Sequence, residues 1–197
     1  MRFAPIAAAA LLAFVSGAAS AATIEGPTQI TASTDVPICE AICAGFGANI
    51  AEIADGDSSN FNGFAGQTGV TGTITLDLIG EFNLESFTLF NDLNVLAEGV
   101  ETFQLRFFDA ADALISTSAV FIAPVGQVAG ETYEFAGEVL GVSKVELDVL
   151  SLLNNSRIEI REVLFNGEEV APIPLPAGLP LLGAGLLALG LVRRKRG

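Results

Sequence analysis

The chain has 197 residues, with 23 Asp and Glu, 9 Lys and Arg and no His, which gives a formal net charge of −14. Without His, the commonest general base is missing, and the Ser-His-Asp and Cys-His arrangements are excluded. The acidic charge also makes nucleic acid and anionic lipid poor partners. Acidic pairs are unavoidable among 23 carboxylates, so they do not by themselves indicate a glycosidase. We therefore expect that the protein is not an enzyme.

The first 21 residues have the pattern of a secretory signal peptide. Arg2 provides a positive start, residues 4–15 are apolar, and Ala19-Ser20-Ala21 is a small-residue cleavage site. We expect a signal helix over residues 1–21 that is removed after Ala21. This predicts that the rest of the chain is exported across the inner membrane.

Cys39 and Cys43 are the only two cysteines of the chain. Two cysteines in an exported protein favour a disulfide, and a gap of three residues permits one where the segment turns. A closed zinc site cannot be built from two Cys without His, and the Cys-x-x-Cys spacing of redox sites is missing. We predict a small structural disulfide between Cys39 and Cys43.

Short segments of β-type composition, separated by turn residues, fill the middle of the chain. Apolar and polar residues alternate in segments 73–78, 86–90, 102–107 and 144–149, and strand signals also cover 114–121, 132–135 and 157–165. Phe87, Phe103 and Leu147 are among the side chains expected to point into the core. The one helix-compatible stretch, 38–53, is interrupted by glycines. This spacing predicts an all-β antiparallel sandwich over residues 22–170.

The body resembles the discoidin-type, galactose-binding-like jelly rolls. The run from Ala54 to Asn60, Ala-Asp-Gly-Asp-Ser-Ser-Asn, is followed by Phe61 and Phe64 and is similar to the first-loop motif of that family. The strand pattern that follows also fits, over roughly residues 28–170. Asn60 stands where the family usually has Thr, and the chain has no Trp. The resemblance implies an antiparallel jelly-roll sandwich whose usual role is carbohydrate binding.

The same resemblance implies a structural Ca²⁺ in the first loop, completed by a carboxylate from the last strand. Ca²⁺ takes six to eight oxygen ligands, and Asp55, Asp57 and Asn60 are close enough in sequence for a loop to wrap one ion. Glu162, or Glu159 on the opposite face of the strand, is the predicted distant ligand. The alternative is that these loop residues only make a turn, for which Asp, Gly, Ser and Asn are ordinary choices.

Carbohydrate binding requires aromatic faces at loop tips, together with a few polar side chains. Phe61 and Phe64, with Asn62 between them, are the predicted ligand-binding residues, and Phe108 is expected to point outward from its strand. Core filling is the alternative for each Phe, because most of the 14 Phe residues lie at inward strand positions. The absence of Trp makes a strong sugar site less expected than in typical members of the family.

The C-terminal residues follow a three-part pattern. A Pro-rich stalk at 171–177 contains a short motif, which is followed by an apolar segment at 178–192 and then by a basic end. The motif consists of Ile173, Pro174, Leu175, Pro176 and Ala177, and the basic end consists of Arg193, Arg194, Lys195 and Arg196. The apolar segment is short for a membrane span, and the basic end would stay in the cytoplasm. We expect a hydrophobic transmembrane helix over residues 178–197.

This pattern resembles the VPLPA-CTERM variant of the PEP-CTERM sorting signals, with Ile173 where Val is usual. The resemblance implies that an exosortase-type membrane protease cuts the chain at the motif and passes it to the envelope or the exterior. An ordinary C-terminal anchor that is never cut is the alternative. Either way, the chain contacts the membrane through its C-terminal segment, in the first case only until processing.

The body between the two end segments is strongly acidic. It contains all 23 acidic residues but only four basic ones, Arg106, Lys144, Arg157 and Arg161, so its formal charge is 4 − 23 = −19. We predict an exported, exosortase-sorted envelope or extracellular-matrix protein with a non-catalytic body. The alternative is a calcium-stabilised module that binds extracellular polysaccharide. A glycan hydrolase is the less expected alternative.

Overall fold

The computed structural model describes residues 21–39, 47, 49–92, 98–124 and 129–171. The predicted signal helix, Cys43 and the predicted C-terminal helix with its sorting motif lie outside these residues. Within the described ranges, no helix is long and apolar enough to cross a membrane.

The described residues form nine β-strands and two short 3₁₀ helices. The helices span Ile50–Ala54 and Leu153–Asn155. The strands are β1 (Ala22–Ile24), β2 (Ile30–Thr34), β3 (Phe64–Ala65), β4 (Thr73–Asn91), β5 (Val100–Phe108), β6 (Leu114–Thr117), β7 (Phe121–Ile122), β8 (Glu131–Leu152) and β9 (Glu159–Glu169). Every pairing between them is antiparallel. The prediction of an all-β antiparallel fold is confirmed.

Two long strands, β4 and β8, run through both layers of the sandwich. The first part of β4 pairs with β2 and with the second part of β8, which in turn pairs with β5. The second part of β4 pairs with β9 and with the first part of β8. One layer is therefore β1-β9-β4-β8, and the other is β2-β4-β8-β5-β6.

Glycines mark the points at which the two long strands bend. Segments 73–78 and 86–90 were predicted as separate strands, but they form one strand with register shifts between Asp77 and Ser86. Gly80 in β4 has φ 133° and Gly141 in β8 has φ 71°. Glycine inside a strand commonly marks a bulge or bend, because it adopts a backbone that other residues avoid. The segments on either side of these glycines were predicted as separate strands, but they are parts of one strand in each case.

Aromatic rings fill the space between the layers. The Phe87 ring of β4 lies 5.2 Å from the Phe165 ring of β9 and 5.8 Å from the Phe103 ring of β5, centroid to centroid. Phe103 also meets the Tyr133 ring edge-on at 5.0 Å. Such pairs each stabilise the fold by about 0.5–1.5 kcal/mol beyond their burial. Phe87, Phe103 and Leu147 are all fully buried, which confirms the side-chain alternation predicted from the sequence.

Candidate functional site

The first loop, residues 55–62, lies between the helix Ile50–Ala54 and β3, and it is tied to the last strand. The Gly56 amide donates to Glu162 Oε2 at 3.0 Å. The Arg161 guanidinium donates to the backbone oxygen of Ser58 at 3.2 Å and to Asn60 Oδ1 at 3.3 Å. Two consecutive residues of β9 therefore hold a loop that precedes them by about 100 residues in the sequence.

Inside the first loop, the polar side chains brace the backbone. Asp55 Oδ1 accepts from the Asp57 amide at 2.9 Å, and Asp57 Oδ1 accepts from the Ser59 amide at 3.0 Å. Hydrogen bonds from Ser59 lower the pKa of Asp57. The Asn62 amide donates to both carboxylate oxygens of Asp55 and to the Asp57 carbonyl at 2.7–3.1 Å. The predicted ligand-binding residue Asn62 therefore fixes the loop with its side-chain nitrogen.

Glu162 lies buried beneath the first loop with an incomplete set of partners. It is only 2% exposed, and its Oε1 atom has no hydrogen-bond partner among the residues that the structure describes. Burial raises the pKa of Glu162 to about 8, and the nearby charges of Asp55 and Glu25 act in the same direction. A buried carboxylate oxygen normally has a partner, so this position favours a bound cation or a proton.

Glu159, the other predicted distant ligand, is engaged elsewhere. Its Oε1 atom lies 3.2 Å from Arg157 Nε, and the side chain is fully buried. Arg157 also pairs with Glu98 at 2.7 Å and donates to Cys39 Sγ at 3.3 Å. Positions 159 and 162 face opposite sides of the strand, which places Glu159 with Arg157 instead of the loop. The prediction for Glu159 was wrong.

The described residues include only one of the two cysteines of the predicted disulfide. Cys39 is disulfide-bonded, and the strand-like segment around it bridges to Gly66 through Ile38. Cys43 lies outside the described residues, so its pairing with Cys39 stays a prediction.

The side chains around the first loop do not by themselves form a complete calcium site. In the part of the chain that the structure describes, no group of three or more His, Cys, Asp or Glu side chains is placed to hold a metal ion. The loop offers Asp55 beside backbone and amide oxygens, which Ca²⁺ also accepts, and β9 adds Glu162. The orphaned Glu162 oxygen fits such an ion, and the calcium site stays a prediction.

The two predicted sugar-binding aromatics have opposite environments. Phe64 is fully buried in β3, where it pairs with Ile160, so its prediction as a ligand-binding residue was wrong. Phe61 is 51% exposed and has φ 72°. A bulky residue at positive φ is a genuine outlier. Two residues later, the Gly63 amide donates to Glu52 at 3.2 Å.

A charge network covers the outer face of the second layer around Phe108. Lys144 Nζ lies 4.5 Å from the centroid of the Phe108 ring, which agrees with the outward position predicted for Phe108. Arg106 pairs with Asp148 at 2.6 Å and with Glu146 at 2.8 Å, and the hydrogen bond to Asp148 raises the pKa of Arg106. The basic and acidic side chains of this face neutralise one another, so the face is an ordinary solvated sheet surface.

A concave surface that sequence analysis missed lies at the open edge of the sandwich. This edge groove has a volume of about 650 Å³ and lies between β6 and the first part of β8. Its lining includes Phe107, Ile115, Ser116, Phe121, Phe135 and Leu140. Residues from three distant segments meet here, so no local motif marks the groove in the sequence.

Comparison with solved structures identifies the fold. The family 32 carbohydrate-binding module of Clostridium perfringens NanJ, solved with galactose, aligns with a TM-score of 0.58 and 10% identity over 74% of this chain and 99% of that chain. An F5/8 type C domain from Bacteroides fragilis aligns at 0.57 and 10% identity, covering 77% and 98% of the two chains. A chitosan-binding module from a Paenibacillus chitosanase/glucanase aligns at 0.53 and 15% identity, covering 75% and 100%.

The fold of the body is therefore that of the discoidin-like, galactose-binding-like jelly rolls, as the sequence resemblance implied. No family model and no curated protein matches the chain.

Ionisation of Glu162 should make stability pH-dependent in metal-free buffer. Because its folded pKa of about 8 exceeds the ordinary 4.5, the folded protein holds a proton that the unfolded chain releases between these values. The free energy of unfolding should fall as the pH rises through this window and level off above it. Melting temperatures measured with EDTA should show a fall of several degrees.

The variant Glu162→Gln should flatten this pH profile, whereas the exposed control Glu169→Gln should keep it. An identical profile in the wild type and in Glu162→Gln would show that Glu162 does not titrate in this range.

Proposed function

We propose that the protein is a non-catalytic carbohydrate-binding module that stacks a sugar ring on Phe61 of the first loop. The observation that carries this proposal is the half-exposed Phe61 ring, held at φ 72° at the surface. A strained backbone of this kind costs about 1–3 kcal/mol, persists only where its surroundings over-determine it, and clusters at functional sites. Here the surroundings are the braces from Asn62 and the ties to Glu162 and Arg161.

Polar groups suited to sugar hydroxyls lie next to the ring in the sequence. Ser59 and Asn60 are exposed, and Asn60 Oδ1 is oriented by the buried Arg161. Ligand sites typically combine an apolar or aromatic face with a few placed polar groups. Arg161 is a positioning residue in this arrangement, because it is only 5% exposed and acts through the loop.

The likeness to known modules supports the same role. The NanJ module was solved with galactose, and the Paenibacillus module binds chitosan. Because a fold alone does not determine function, these ligands describe those proteins. Together with the exposed Phe61, they favour polysaccharide binding over a purely structural matrix role for this chain.

Phe61 gives a test that separates binding from folding. The variant Phe61→Gly removes the stacking face but suits the positive φ, so it should lose polysaccharide binding while stability stays equal or rises by up to about 1 kcal/mol. Affinity electrophoresis against galactose- and glucosamine-containing polymers would measure the binding, and urea unfolding would measure the stability. The control Phe108→Ala removes an aromatic ring elsewhere and should bind as the wild type does. Full binding by Phe61→Gly would contradict the proposal.

A structural Ca²⁺ beneath the first loop is part of this proposal. Asp55 and Glu162, with oxygens of the loop itself, would hold the ion, which would offset the buried charge of Glu162. The ion would make the first loop rigid and so preorganise Phe61 for a ligand. Its role would be structural.

Addition of millimolar Ca²⁺ should therefore raise the melting temperature of the EDTA-treated protein by several degrees. Asp55→Asn and Glu162→Gln should each abolish the rise. The control Asp77→Asn removes the same charge from an exposed position on β4 and should keep it. An unchanged melting temperature in the wild type would exclude the ion.

We further infer from the two end segments that the protein works outside the inner membrane, in the envelope or extracellular matrix. The signal peptide at 1–21 and the sorting pattern at 173–196 support this location. An exosortase-type protease is the expected processing partner, and extracellular polysaccharide is the expected ligand. The mass of the mature protein tests this inference: it should lack residues 1–21 and residues 178–197. A mature protein that keeps both segments would contradict it.

A further inference from the structure

The edge groove lies where each layer of the sandwich ends in an edge strand that pairs on one side only among the described strands. β6 is the edge of one layer, and residues 134–140 of β8 form the edge of the other, because within the described part of the chain this portion of β8 pairs only with β4. The volume of about 650 Å³ between them lies in the range of known ligand sites. Unpaired strand edges also present backbone donors and acceptors to whatever enters the groove.

Aromatic rings held by the core form the floor of the groove. Phe135 packs edge-on against Phe107, with ring centroids 5.0 Å apart. Phe121 packs 5.0 Å from Tyr133 and 5.4 Å from Phe103. Phe121 and Phe135 are partly exposed, so each presents part of a ring whose position is already fixed. A ligand that stacks on them does not have to order them first.

The polar part of the lining is hydroxylic and acidic. It includes Ser116, Ser118, Glu134 and Glu138, and no Lys or Arg belongs to the described lining. The four basic residues of the body are engaged with carboxylates or with the first loop. The potential in the groove is therefore negative, and it disfavours anionic glycans and favours cationic ones.

The same charge argues against a second copy of this chain as the occupant. Two bodies that each carry a formal charge of −19 repel one another, and pairing edge to edge would bring the Glu134 and Glu138 side chains of both copies close together. A glycan with basic groups has no such penalty, and its hydroxyls match the serines and the open strand edges.

We propose that the edge groove is a second glycan subsite, selective for oligosaccharides that carry protonated amino groups. Sugar faces would lie on Phe121 and Phe135, with the amines near Glu134 and Glu138. This inference rests on the proposed function and deepens it: the first loop binds a sugar ring, and the edge groove selects the charge class of the polymer.

A pair of probes tests this selectivity in the mature protein: a glucosamine oligomer and its fully N-acetylated counterpart of the same length. Calorimetric titration in weakly acidic buffer should show about tenfold tighter binding of the amino form, and added salt should reduce the difference. The double variant Glu134→Gln/Glu138→Gln should remove the preference while still binding the acetylated form. The control Glu168→Gln/Glu169→Gln changes the net charge equally on β9 and should keep the preference.

The outcomes separate this inference from the proposed function. If neither oligomer nor any other glycan binds, the proposed function fails and the inference fails with it. If both oligomers bind equally, or if the Glu134→Gln/Glu138→Gln variant keeps the preference, only the groove inference is overturned. A dimer in light scattering that Leu140→Lys dissociates would assign the groove to a second copy. Displacement of the amino oligomer by a lysine-rich peptide, with no preference among glycans, would assign it to a protein partner.

Discussion

The buried carboxylate of Glu162 is the constraint on which the candidate site depends. It accepts a hydrogen bond from the Gly56 amide and so holds the first loop, which precedes it by about 100 residues in the sequence. Its second oxygen has no hydrogen-bond partner in the described part of the chain, and burial raises the pKa of Glu162 to about 8. A carboxylate in this position is stable only when neutral or when a cation offsets its charge. In the proposed arrangement, the shape of the first loop and the display of Phe61 depend on whether Glu162 is neutral or its charge is offset by a cation.

The strained Phe61 and the open edge groove depend on the same rigid scaffold. The long strands β4 and β8 bind both layers together, and the Phe87, Phe103 and Tyr133 rings fill the space between them. Because the scaffold is continuous, a loop on one side can hold an unfavourable backbone, and a strand edge on another can stay unpaired. Such local exceptions to ordinary packing are where ligand sites are expected in an otherwise consistent fold.

The general character of the fold could be predicted from local pattern, because side-chain alternation is a local property. The alternation that buries Phe87 and Phe103 is visible in short segments, and so is the antiparallel β character. The continuity of β4 and β8 was not predictable in this way. A glycine between two alternating segments is compatible with a turn or with a bend inside one strand, and only pairing with distant partners shows that Gly80 and Gly141 lie at bends.

The residues of the candidate site could be proposed from the sequence, but their arrangement could not. Glu162 and the loop carboxylates followed from a family resemblance, and the structure brings Glu162 to the loop. Phe64 was misassigned because the burial of β3 depends on contacts with distant strands. Glu159 was misassigned because its partner is Arg157, a pairing that no local motif indicates. The edge groove joins β5, β6, β7 and β8 and has no signature in any one of them.

The most direct test is whether a cation that offsets the charge of Glu162 makes the first loop rigid. Amide hydrogen exchange of the loop, measured with EDTA and with Ca²⁺, provides this test. The account predicts slower exchange at Gly56 and at Ser59 when Ca²⁺ is added, and no such slowing in Glu162→Gln. Equal exchange rates at these amides with and without Ca²⁺ in the wild type would contradict it.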